Sequence, residues 1–238
     1  MAKFGPFLRH PLVIAVLAGA FSALLIPQIT REWQDRQREQ ELKQSLLEEI
    51  STSSTTAVRQ GISLANGHAR AAGGQEGQDV GDIYLVLRNS WLIRRASARS
   101  RIIVYFPNLY ACWYSYERAV SDYLSLAVPG KTPADESGRR ARVRSLRRYV
   151  NADFARSYID PGAPDGCKPL KELPEVVQSR FGQLKDATGW TALTSTHNRG
   201  FQAVYAVLGE ELIIGMERII TTIVKTPAKG FSHGIAHV

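Results

Sequence analysis

The sequence has few of the residues that build metal sites and disulfide frameworks. Its 238 residues include two cysteines and five histidines. Cys112 and Cys167 are far apart, which fits neither a metal-ligand spacing nor a disulfide framework. His233 and His237 have the spacing of two ligands on one helix turn, but nearby glycines make their segment a poor helix. We therefore predict no metal site and no cofactor.

Catalytic motifs are also missing. The glycine-rich stretch 67–81 follows no strand and lacks the Lys-Ser/Thr pair of a phosphate-binding P-loop. His197 lies near a predicted helix start, where a capping or surface role is favoured over that of a general base. Cys167 has no evident histidine partner. We predict no catalytic residue and a protein that acts through binding, as an interaction, scaffold or regulatory subunit at the membrane surface. The alternatives are an extracytoplasmic ligand-sensing helical bundle and an enzyme without a recognisable motif.

A single long apolar run is present, residues 12–26. As a helix it spans about 22 Å, less than the roughly 30 Å of a hydrocarbon core. Extension to residues 7–29 gives about 34 Å. Arg9 then lies near one end, where it can extend to the headgroups, and Trp33 lies one turn past the other, at the membrane interface. This pattern predicts a single-pass membrane anchor in residues 1–30.

Two alternatives to the anchor are open. Residues 18–20 have the small-residue pattern of a secretory cleavage site, preceded by the basic Lys3 and Arg9, but the chain stays apolar after that site. A buried helix of a soluble domain is the other alternative. The His-Pro pair before the run and the Trp-Gln-rich segment after it resemble the anchors of small bacterial membrane proteins. That resemblance implies no activity.

The charges on either side of the run predict the orientation. The amino group, Lys3 and Arg9 precede the run. Four basic residues follow it, namely Arg31, Arg36, Arg38 and Lys43. By the positive-inside rule this excess places the rest of the chain in the cytoplasm. If that part lay outside instead, a bridge between Cys112 and Cys167 would become possible.

Hydrophobic periodicity predicts an all-α fold with a long juxtamembrane helix and a bundle of about five helices. The predicted parts are an amphipathic helix at 31–66, a Gly-rich loop at 67–81, the bundle at 82–226 and a flexible tail at 227–238. The predicted bundle helices are 83–100, 108–127, 139–159, 175–187 and a last helix from Thr194 or Phe201 to Lys225. The apolar run 102–106 fits a helix or a strand. The hydroxyl-rich run 51–56 is expected to be solvated, and a dimeric coiled coil is the alternative for the long helix.

The most distinctive charged feature is in the predicted helix 139–159. Four arginines fall together on one flank of it, namely Arg140, Arg144, Arg147 and Arg148. Arg139 and Arg142 add charge at the other margin. The net charge of +8 favours acidic partners, so we predict that this flank binds anionic membrane lipid or an acidic protein, with a merely solvated face as the alternative. Nucleic acid is disfavoured because no stacking aromatics accompany the arginines. A protein partner or a second copy of the chain is also expected.

Overall fold

The computed structural model describes residues 11–71, 80–128, 133–151, 157–158, 168–169, 187–194 and 200–231. Nearly all of these residues are helical, which confirms the all-α fold. The helices are α1 (Pro11–Ala71), α2 (Val80–Tyr105), α3 (Tyr110–Leu126), α4 (Pro133–Asn151), α5 (Ala187–Ala192) and α6 (Phe201–Lys225). A short 3-10 turn, Pro107–Leu109, precedes α3. Two short strands, β1 (Ser157–Tyr158) and β2 (Lys168–Pro169), pair antiparallel.

The chain divides into two compact units. One comprises residues 1–44 and 230–238, and the other comprises residues 45–229. In the first unit α1 continues through Pro27, as expected from the sequence. Lys43 and Glu39 form an ion pair there at 2.8 Å, one helix turn apart.

The first unit exposes apolar side chains along α1. Ile26, Ile29 and Trp33 are each more than half exposed. Among the residues that the structure describes with their side chains, we find no helix that is both long enough and apolar enough to cross a membrane. The anchor at residues 1–30 therefore stays a prediction, and Arg9 lies outside the described residues.

The second unit is a helical bundle in which α3 packs against α2, α4 and α6. Its core forms where the apolar stripes of the helices meet, since each helix buries one face. α1 contributes Leu46, Ile50, Ala57, Val58, Leu64 and Ala65. α3 and α4 contribute Trp113, Tyr116, Val120, Tyr123, Leu124, Val143, Leu146 and Val150. α6 contributes Leu208, Leu212, Met216, Ile219 and Ile223. These buried positions recur at the 3.6-residue period of a helix.

The ambiguous run 102–106 is helical. α2 continues to Tyr105, and the Phe106 amide donates to the Ile102 carbonyl oxygen at 2.8 Å. Ile102 and Phe106 are buried while Val104 is exposed, which is the spacing of one helix face rather than the alternation of a strand. Pro107 then begins the 3-10 turn, a position where its missing N–H is not needed.

Several predicted boundaries and environments were wrong. α1 extends to Ala71, into the stretch expected to be a loop. Trp190 belongs to α5, outside the predicted helices, and it is buried. Ser53 and Ser54 are buried rather than solvated, because their small side chains admit the large core residues of α3. The predicted helix 175–187 lies almost wholly outside the described residues.

Two glycines let three helices approach one another in the core. A Cβ added at Gly61 of α1 would lie 2.9 Å from the Tyr205 hydroxyl and 3.0 Å from the Tyr123 ring. At Gly209 of α6 it would lie 2.7 Å from the Tyr123 hydroxyl. The two tyrosine rings stack with centroids 4.1 Å apart, and the Tyr205 hydroxyl donates to the Tyr123 carbonyl oxygen at 3.0 Å. Glycine at both positions therefore allows this stack to form.

Candidate functional site

The four arginines that the sequence singled out lie on the outer face of α4. We call this set, Arg140, Arg144, Arg147 and Arg148, the arginine surface. All four are exposed. The opposite face of α4 is held in the core by Val143, Leu146 and Val150. At about 100° per residue the four arginines fall within an arc of about 100°, so they present one continuous cationic surface.

No arginine of this surface forms an ion pair with the described part of the chain. The ion pairs found there involve Lys43, Arg95, Arg99 and Arg101, and none involves a member of the arginine surface. Arg142 does not belong to the arginine surface, and its charge interacts with the Asp122 carboxylate. Burial raises the pKa of that carboxyl, while a Ser145 hydrogen bond and the charges of Arg118 and Arg142 act in the opposite direction.

Arg139, which the sequence placed at the margin of the charged helix, has a structural role instead. It is 3% exposed and donates three hydrogen bonds to backbone carbonyl oxygens. Its acceptors lie in and after α3 and just after α5, and its guanidinium also lies 5.2 Å from the Phe201 ring centroid. Burial lowers the pKa of Arg139 to about 10. The side chain thus ties together carbonyl groups at the ends of two helices.

A second polar cluster joins α2 to α3 and was missed from the sequence. Glu117 is 1% exposed and accepts from Arg99 through both carboxylate oxygens, with Arg95 Nη1 at 2.9 Å from Oε1. The Ser121 hydroxyl accepts from Trp91 Nε1 at 3.1 Å and from Arg95 Nη1 at 3.0 Å. The structure pairs Arg95 and Arg99, in the second half of α2, with this buried carboxylate. The sequence feature that could have revealed this cluster is Glu117, an acidic residue on the flank of the apolar face of α3.

Cys112 lies on the buried side of α3. It is 1% exposed, as the sequence predicted for a small buried residue, and it is disulfide-bonded. The chain contains one other cysteine, Cys167, which lies outside the described residues.

An apolar cleft lies between the end of α1 and the start of α2. We call it the α1–α2 cleft. Its volume is about 580 Å³. Its lining residues are Gln60, Ser63, Leu64, Gly67, Asp82, Ile83, Val86 and Leu87. Leu64 and Leu87 are buried, while Ile83 and Val86 are exposed, so the cleft presents aliphatic side chains to solvent.

The candidate metal ligands His233 and His237 are not among the described residues. In the described part of the chain, no group of three or more His, Cys, Asp or Glu side chains is placed to hold a metal ion. His197, His233 and His237 lie outside that part. Comparison with known proteins adds no functional information, because no family model, curated protein or solved structure matches the chain. The function must therefore be argued from the surfaces and clefts themselves.

Proposed function

We propose that this chain is a single-pass membrane-anchored helical protein that acts through binding rather than turnover, and that its arginine surface docks on anionic lipid headgroups. The observation that carries the proposal is the alignment of four exposed arginines on α4, without a described carboxylate partner, on a helix whose other face is fixed in the core. The anchor in residues 1–30 rests on the sequence alone.

The expected strength of this docking suits a tethered domain. A basic side chain near an anionic lipid surface contributes about 1 kcal/mol, so four contribute about 4 kcal/mol, or roughly a thousandfold in affinity. That is weak for a free protein. It is sufficient when an anchor in the same chain already holds the domain near the membrane, because tethering raises the effective concentration of the surface.

The composition of the surface favours lipid over an acidic protein partner. Protein interfaces are usually centred on buried aromatic or aliphatic side chains. The exposed residues described on α4 are Asp135, Glu136, Ser137, Arg140, Ala141, Arg142, Arg144, Arg147 and Arg148. None is aromatic or a large aliphatic residue, so the surface offers charge without an apolar centre, as a plane of lipid headgroups requires.

Arginine footprinting tests the proposal on the full chain. The protein is reconstituted in vesicles of zwitterionic lipid, with or without anionic lipid, and modified with an arginine-specific dicarbonyl reagent before peptide mass spectrometry. We expect Arg144 and Arg147 to be protected only in anionic vesicles and the protection to disappear at high salt, because screening weakens exposed charge pairs. Arg88, an exposed arginine of α2, is the matched control and should react equally in both.

Two outcomes would contradict lipid docking. Equal reactivity of Arg144 and Arg147 in both kinds of vesicle would show that the surface is merely solvated. Protection that appears only after cell extract is added would identify an acidic protein as the partner. A paired charge reversal, Arg144→Glu with Arg147→Glu, should in turn leave the remaining two arginines reactive in anionic vesicles.

The side of the membrane is a separate proposal. The positive-charge count predicts a cytoplasmic bundle, but that count differs by only one charge. The disulfide of Cys112 favours an oxidising compartment, since disulfides rarely persist in the cytosol. We give the disulfide more weight and propose an extracytoplasmic bundle, so the lipid docking proposed above requires anionic headgroups in the outer leaflet. A topology reporter fused after Val238, with thiol labelling in intact and lysed cells, decides between the two sides, and an active cytoplasmic reporter with two free thiols would overturn our placement.

A further inference from the structure

The α1–α2 cleft has the size and lining of a small-molecule site. Ligand pockets in proteins typically enclose about 300–1,000 Å³ and are mostly apolar with a few polar groups. This cleft measures about 580 Å³. Leu64 and Leu87 are buried beside the exposed Ile83 and Val86. Three polar side chains complete the lining, those of Gln60, Ser63 and Asp82.

Part of the aliphatic lining is exposed to solvent. Val86 lines the cleft, and its side chain is 71% exposed. Gly67 contributes no side chain to the cleft, and a Cβ added there would meet no atom within 4 Å. The end of α1 therefore leaves room that a side chain at position 67 would otherwise reduce.

The charge of the lining selects the chemical class of the occupant. Among the described residues that line the cleft, Asp82 is the sole charged one, and its side chain is exposed. Gln60 and Ser63 can donate or accept hydrogen bonds. A carboxylate at the edge of an aliphatic cleft attracts a cation and repels an anion. A ligand that matches this lining therefore has an apolar part and one ammonium group.

We propose that the α1–α2 cleft binds a small apolar molecule bearing a single amine, with Asp82 as the partner of the ammonium group and Leu64, Ile83, Val86 and Leu87 around the apolar body. This site is independent of the arginine surface, because none of its lining residues belongs to α4. The bundle would then have two binding sites, the α1–α2 cleft for a small molecule and the arginine surface for lipid.

The test uses three fluorescent probes that differ only in the head group. They are 2-(2-naphthyl)ethylamine, the corresponding alcohol and the corresponding carboxylate. Binding to the full chain in nanodiscs is followed by fluorescence anisotropy, with empty nanodiscs subtracted. Because Asp82 is exposed, we expect the amine to bind about threefold more tightly than the alcohol, and the carboxylate to bind more weakly than either.

Matched variants locate the binding. Gly67→Leu places a bulky side chain at the cleft and should weaken binding of the amine. Gly138→Leu makes the same change on α4, where an added Cβ also meets nothing within 4 Å, and should leave binding unchanged. Asp82→Asn should make the amine and the alcohol bind equally. Asp135→Asn is its control, since both aspartates lie in the first turn of a helix and both changes alter the helix dipole interaction alike.

Each contrary result is decisive. Binding of the amine that is equally tight in Gly67→Leu places it elsewhere and overturns the site. Equal binding of the three probes by the unmodified chain overturns the cationic class of ligand. No binding beyond that of empty nanodiscs overturns the proposal as a whole. A melting curve of each variant shows that loss of binding is not loss of folding.

Discussion

Replacement of Arg139 by methionine should destabilise the bundle strongly. The guanidinium donates from Nε to the Leu193 carbonyl oxygen at 2.9 Å, from Nη1 to that of Val128 at 2.9 Å and from Nη2 to that of Leu126 at 2.6 Å. Methionine fills a similar volume but donates no hydrogen bond. The variant therefore leaves three carbonyl groups without their donor.

The magnitude follows from those bonds. A hydrogen bond to a charged group contributes about 1.5–3 kcal/mol net. Burial of the guanidinium, which lowers its pKa to about 10, opposes part of this gain, and the Val128 acceptor is partly exposed. We therefore count the two buried acceptors at the lower value and expect a loss of about 3 kcal/mol. For a unit of this size that corresponds to a fall in Tm of about 6–12 °C.

Circular dichroism melting of the full chain in detergent measures this effect, with Arg140→Met as the control. Arg140 is the next residue on the same helix and is exposed, so its replacement should change stability by less than about 0.5 kcal/mol. Arg139→Lys should recover only part of the stability, because an ammonium group lacks the planar fork of the guanidinium. Equal melting temperatures for the two methionine variants would refute the role assigned to Arg139.

Three further perturbations probe the bundle. Glu117→Gln should lower stability by about 2 kcal/mol in urea unfolding, because two arginines lose a buried partner; an unchanged midpoint would show that the cluster contributes nothing. Gly209→Ala should cost about 1–3 kcal/mol through overpacking, whereas Gly138→Ala should be neutral or slightly stabilising, and similar melting curves for the two would argue against close packing at Gly209. Reduction of the Cys112 disulfide should lower the free energy of unfolding by about 2–4 kcal/mol; melting with and without reductant, together with thiol trapping, measures it, and labelling of two free thiols before reduction would show that no bond exists.

The helices were predictable where burial follows a simple period. The stripes of α1, α3, α4 and α6 repeat at helical spacing, so the sequence located their buried faces well. The run 102–106 was ambiguous because five apolar residues fit either period. It became helical since Ile102 and Phe106, four residues apart, both reach the core.

Roles that depend on contacts between helices could not be read in the same way. Arg139 and Arg140 are adjacent and identical in type, yet one is buried and the other exposed. The difference arises because Arg139 donates hydrogen bonds to carbonyl groups at the ends of α3 and α5. No local sequence pattern predicts these contacts between helices. Pairing of Glu117 with arginines of α2 likewise requires knowledge of which helices are neighbours. The four arginines of the arginine surface, by contrast, were grouped from the sequence alone, because they share one flank of α4 beside the apolar stripe.

The close approach of α1 and α6 over Tyr123 has an evolutionary consequence. A side chain at Gly61 or Gly209 would meet the Tyr123 ring or hydroxyl, so the three positions cannot vary independently. Distant relatives of this chain should keep glycine at both positions wherever an aromatic residue stands at the third, and should admit alanine or serine there only when that residue becomes small. This covariation provides a signature by which homologues too divergent for overall sequence similarity can be detected.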